Sequence, residues 1–77
     1  MDNLINKNVV NLINRAQISK ADGQLLQAKI ILNKAIKLDP KNEIALNNIA
    51  NIYKETKYFD KSIKYYLKSI TANSSYK

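Results

Sequence analysis

The chain is similar to itself at a shift of 34 residues, and that periodicity constrains the fold more than any single residue does. The shift lays Leu12 on Leu46, Asn14 on Asn48, Ala16 on Ala50, Ile18 on Ile52 and Lys20 on Lys54, and further along Lys34 on Lys68 and Ile36 on Ile70. Val10/Ile44, Leu25/Phe59, Ala28/Ser62 and Ala35/Ser69 keep size or polarity. A unit of this length is one supersecondary element repeated. The only glycine, Gly23, and the only proline, Pro40, punctuate it. Before Gly23, residues Ile5, Val9, Leu12, Ala16 and Ser19 recur at helical steps; between the two breakers Leu25, Ala28, Leu32 and Ala35 do the same. After Pro40, Leu46, Ile49, Ala50 and Tyr53 form a third stripe, and Phe59, Ser62, Ile63, Tyr66, Ser69 and Ile70 a fourth. Strict two-residue alternation is not sustained, so strands are not expected. The pattern predicts four amphipathic helices, at about 3–21, 25–38, 43–55 and 59–72.

The breakers have physical roles. Proline cannot continue a helix and disfavours helical geometry in the residue before it, so "DP" at Asp39–Pro40 should end the second helix. In "DPKNE" the side chain of Asn42 is placed to cap the third helix. The second copy has no counterpart to that stop. Asn73–Ser74 stands where Asp39–Pro40 stood, so the last helix is free to fray or run on.

A helix–turn–helix unit of this period resembles the tetratricopeptide repeat, and residues 9–42 and 43–76 are similar to two such repeats in tandem. The family's spaced motif falls on Leu12, Ala16, Ser19, Gly23, Ala28, Leu32, Ala35 and Asp39–Pro40, then on Leu46, Ala50, Tyr53, Lys57, Ser62, Tyr66, Ser69 and Asn73–Ser74. Arg15 stands where the family usually has leucine, and Lys57 where it has the turn glycine. The resemblance implies an all-α fold of two stacked hairpins, a fragment of an α-solenoid. The single domain would span 1–77, with 1–8 extending the first helix.

Composition narrows the chemistry. The sequence has no cysteine and no histidine, which removes disulfides, thiolate metal sites and the commonest general base. Six acidic residues are scattered and no glycine-rich loop exists, so no catalytic constellation can be assembled. The chain is therefore expected to be non-catalytic, without cofactor or metal. The longest aliphatic run, Ile30–Leu32, is far short of the ~18 residues that span a bilayer. Asp2, Lys7 and Arg15 interrupt the apolar residues of the N-terminus, so it does not read as a signal peptide, and a cytoplasmic protein is expected.

The resemblance implies a protein–protein interaction module or scaffold. The first helix of each hairpin would line a concave groove and present Val10, Asn14, Gln17 and Ala21, then Ile44, Asn48, Asn51 and Glu55. Side-chain amides offer donors and an acceptor, and so suit the backbone of an extended peptide. Asn14, Gln17, Asn48 and Asn51 are the candidate peptide-binding residues, flanked by Lys20 and Lys54. The plainer reading of these asparagines is a solvated helix surface in a sequence where Asn, Lys and Ile fill 34 of 77 positions. A second family mode, in which basic residues grip a C-terminal carboxylate, is disfavoured because Ile13 occupies the site of its first lysine.

Two further surfaces follow. Ile63, Leu67 and Ile70 would face solvent where a third repeat should sit, which marks a self-association edge and an expected homo-oligomer. The net charge of +7 raises nucleic acid as an alternative partner, through a polyanion stripe of Lys57, Lys61, Lys64 and Lys68 with Tyr58, Tyr65 and Tyr76 as stacking groups. The plainer reading of that stripe is a solvated helix face.

Overall fold

A computed structural model describes residues 2–74, and the side chains of residues 6–73. It contains four helices: α1 (Asp2–Ala21), α2 (Leu25–Leu38), α3 (Glu43–Glu55) and α4 (Phe59–Ser74). They form two compact units that divide between Pro40 and Lys41, α1 packing on α2 in the first and α3 on α4 in the second. The helix limits follow the sequence reading closely, except that α4 continues past residue 72 to Ser74. The missing proline stop accounts for that.

In the first unit Val9, Ile13 and Ala16 of α1 are buried, as are Ala28, Ile31, Leu32 and Ala35 of α2. The angular setting of α1 differs from the expected stripe. Leu12 and Ser19 are only half-buried, whereas Ile13, which lies outside the expected stripe, is 6% exposed. Successive residues of a helix lie about 100° apart, so a modest rotation of α1 moves its apolar centre from Leu12 toward Ile13. Ile5 lies outside the residues whose side chains are described.

The turn between α1 and α2 is closed by Gln24 N–H donating to the Ser19 carbonyl at 2.8 Å and Gly23 N–H to the Lys20 carbonyl at 2.9 Å. This is a Schellman end, which requires a left-handed residue, and Gly23 supplies it with φ of 82°. The turn between α3 and α4 repeats the pattern 34 residues on. Tyr58 N–H donates to the Tyr53 carbonyl at 2.8 Å and Lys57 N–H to the Lys54 carbonyl at 3.1 Å. Here the left-handed position is Lys57, with φ of 70°, a conformation that is strained for a residue bearing a Cβ.

In the second unit α3 begins as its sequence predicts: the Asn42 side chain accepts from Ala45 N–H at 3.0 Å. Ala45, Leu46, Ile49, Ala50, Ile52 and Tyr53 are buried. Across the hairpin, Ser62 Oγ donates to the Ala50 carbonyl at 3.0 Å and Ser69 Oγ to the Glu43 carbonyl at 3.1 Å. Small hydroxyl residues of α4 thus sit against the α3 backbone, where a larger side chain would hold the helices apart. Phe59, Ile63 and Ile70 belong to the fourth stripe by spacing, yet all three are more than half exposed; among the described residues of α4, Ser62 and Ala72 are buried.

Candidate functional site

The amide-bearing residues occupy different environments in the two units. On α1, Asn14 and Gln17 are exposed and Lys20 is half-buried. On α3, Asn48 and Asn51 are half-buried and Lys54 is exposed. The Asn51 side-chain oxygen accepts a hydrogen bond from the Tyr66 hydroxyl, which ties one amide to α4. Asn48 differs: its Nδ2 is buried and has no hydrogen-bond partner among the described residues. An unsatisfied buried donor costs about 1–3 kcal/mol.

The lysines of α4 are exposed, as their spacing predicts, but they are not simply solvated. Lys61 Nζ lies 5.5 Å from the Tyr53 ring centroid and 5.7 Å from that of Tyr58, and Lys68 Nζ lies 5.0 Å from the Tyr65 centroid. The rings also meet each other. Tyr53 and Tyr65 stack with centroids 5.6 Å apart, and Tyr53 meets Tyr58 edge-on at 6.3 Å. Cation–π contacts at exposed sites contribute about 0.5–1 kcal/mol each, so this cluster fastens the turn end of the second hairpin. Tyr58 and Tyr65, the expected stacking groups for bases, already have ring and cation partners; Tyr76 lies outside the described residues. Burial raises the Tyr53 hydroxyl above its ordinary value of 10.0, and the neighbouring Tyr65 adds to the shift.

The proposed self-association edge is a continuous strip. Phe59, Ile63, Leu67 and Ile70 are 56%, 57%, 58% and 62% exposed. Sequence spacing identified its last three members but placed Phe59 with the packed stripe. In the first unit an open hollow of about 580 Å³ lies at the end of α2, lined by Asn33, Lys34, Ile36, Lys37 and Pro40. No group of three His, Cys, Asp or Glu residues that could hold a metal exists among the described residues. No helix of the described residues is long and apolar enough to cross a membrane.

Two antiparallel hairpins, repeated at 34 residues with the same turn geometry, define a helical-repeat protein. The family model for the tetratricopeptide repeat matches residues 11–42 and again residues 44–76. The chain belongs to the tetratricopeptide repeat family, whose repeats generally mediate protein–protein interactions. No curated protein matches the chain.

Proposed function

We propose that this chain is a non-catalytic interaction module that binds an extended peptide or a partner protein through the amide-bearing faces of α1 and α3. The observation that carries this reading is the set of side-chain amides on the first helix of each hairpin, Asn14 and Gln17 exposed on α1 and Asn48 and Asn51 half-buried on α3. Asn14 presents its whole amide to solvent, whereas its equivalent Asn48 has its Nδ2 buried and only part of the side chain accessible. Gln17 and Asn51 offer further amides. Lys20 and Lys54 favour an acidic ligand, though exposed charges contribute at most a fraction of a kcal/mol each.

The test uses an array of extended peptides, acidic and neutral, probed with the whole chain at low salt. Asn14→Ala with Asn48→Ala is expected to weaken any binding by about tenfold or more, the loss of roughly 1.4 kcal/mol, while the thermal midpoint holds or rises. Binding that survives both substitutions would remove the amides from the reading.

A second reading, polyanion binding through Lys57, Lys61, Lys64 and Lys68, draws support from the exposure of all four, Lys57 in the turn before α4 and the other three on α4 itself. It needs Lys61 and Lys68 to leave their tyrosine rings, which places it behind the first. Its signature is an RNA affinity that falls with salt, with a slope of about −0.7 per phosphate contacted, and that is lost when the four lysines become glutamine.

A further inference from the structure

The geometry of α4 points to a symmetric homodimer in which the strip of Phe59, Ile63, Leu67 and Ile70 packs antiparallel against the same strip of a second copy. This inference uses a different surface from the amide faces and does not rest on them. The apolar character of the strip is unambiguous, since each of its four side chains is more than half exposed. At about 100° per residue, these four share one side of the helix, Lys61 and Lys68 fall on the far side, and Lys64 lies on one flank about 60° past Leu67, beyond Asp60 and Thr71. The residues bordering the strip, Asp60 and Thr71 on one flank and Tyr66 and Asn73 on the other, carry no positive charge. Lys61 and Lys68 are further held over tyrosine rings. The lysines of α4 are thereby kept out of the strip itself, with Lys64 at its margin.

Two observations select this arrangement over head-to-tail stacking of copies. In a head-to-tail stack the first helix of one copy must cover α4 of another. The second repeat carries Ala45, Ile49 and Ile52 on its first helix, all buried. The equivalent residues of the first repeat are Asn11, Arg15 and Ile18, all exposed, and two of the three are polar. The first helix is thus a polar end that does not match the apolar strip. The strip matches itself. Its positions run 59, 63, 67 and 70, so reversing one helix about a two-fold axis near residues 64 and 65 sets Phe59 opposite Ile70 and Ile63 beside Leu67. Four such side chains give roughly 400 Å² per copy, within the range of the largest apolar patch on a typical monomer, a patch that is often functional. Twice that falls below the ~1,200 Å² of a standard interface, so the dimer should be weak and reversible.

Sedimentation equilibrium of the whole chain, from about 10 μM to about 1 mM, should show a mass rising from 8.8 kDa to twice that value and no further. Ile63→Glu with Leu67→Glu, both at exposed positions, should hold the chain at 8.8 kDa with an unchanged helical circular dichroism spectrum. Orientation is read by disulfide trapping, because the sequence has no cysteine of its own. In the antiparallel pair the two copies of residue 63 lie within about 5 Å along the axis, and the two copies of residue 59 about 16 Å apart, given 1.5 Å rise per residue. Disulfides need Cα atoms within about 7 Å. Ile63→Cys should therefore cross-link on oxidation and Phe59→Cys should not. A monomer at every concentration would overturn the proposal and assign the strip to a different protein. A mass that climbs past the dimer, or equal trapping by both cysteine variants, would overturn the symmetric antiparallel geometry.

Discussion

Ser62 donates its hydroxyl hydrogen to the carbonyl oxygen of Ala50 at 3.0 Å, inside the buried seam where α4 crosses α3. The equivalent residues of the first repeat, Ala28 and Ala16, are 0% and 2% exposed. At this point the two seams differ by one hydroxyl group, and in the second that oxygen is placed where it has an acceptor. Small size is the shared requirement.

The seam yields the first prediction. Ala28→Ser introduces a hydroxyl that can reach the Ala16 carbonyl as Ser62 reaches that of Ala50, so its effect on stability should stay within about 1 kcal/mol. Ala28→Leu must push the helices apart and should cost roughly 1–3 kcal/mol. Urea midpoints of the two variants distinguish these outcomes. Equal midpoints would show that close helix approach at residue 28 is not required.

The two turns make the second prediction. Gly23 and Lys57 occupy the same left-handed position with the same hydrogen bonds, but only lysine carries a Cβ. Lys57→Gly should stabilise the second hairpin by about 1 kcal/mol through relief of the left-handed strain. Gly23→Ala should destabilise by a similar amount. A Cβ at Gly23 would meet nothing within 4 Å, so its effect is purely one of backbone conformation. Thermal midpoints should move in opposite directions, each by about 4–8 °C per kcal/mol for a chain of this size.

Asn42 supports a third. Its side chain accepts from Ala45 N–H at 3.0 Å and satisfies one of the donors that every helix start leaves open. Asn42→Ala should cost about 1 kcal/mol, while Asn42→Asp should hold or improve stability, since aspartate caps equally well and adds negative charge at a helix N-terminus. If alanine and aspartate behave alike in thermal melts, the cap contributes nothing.

Much of this architecture is legible in the sequence because local rules fix it. Pro40 ends α2, Asn42 starts α3, and Gly23 marks the first turn; each acts on its own few residues of backbone. The 34-residue shift then carries the second turn to Lys57 despite the missing glycine. What spacing does not give is the rotation of a helix about its own axis. A stripe at steps of three and four fixes a direction only to within about one residue, which is why Ile13 rather than Leu12 is buried and Phe59 lies open. The Asn51–Tyr66 bond and the lysine–tyrosine contacts depend on that rotation together with the register of α3 against α4. The candidate amides could be named from sequence, but not the separation of Asn48, whose Nδ2 lacks a partner among the described residues, from Asn51, which has one.

The tyrosine cluster supplies a fourth prediction, in alkaline solution. Burial, with a smaller contribution from Tyr65, raises the Tyr53 hydroxyl above its ordinary 10.0. The folded chain then holds this proton at a pH where the unfolded chain has released it. The unfolded state binds fewer protons in that window, so stability falls as pH rises. The contribution of neutral, buried Tyr53 is fully present below pH 10 and is lost as pH climbs from there through the raised value. Tyr53→Phe keeps the ring that stacks on Tyr65 and faces Lys61, but it removes the titrating group. Urea midpoints at pH 8 and pH 11 should drop less for Tyr53→Phe than for the unsubstituted chain. Parallel drops would mean that another group governs alkaline unfolding and that the Tyr53 hydroxyl ionises as freely in the folded chain as in the unfolded one.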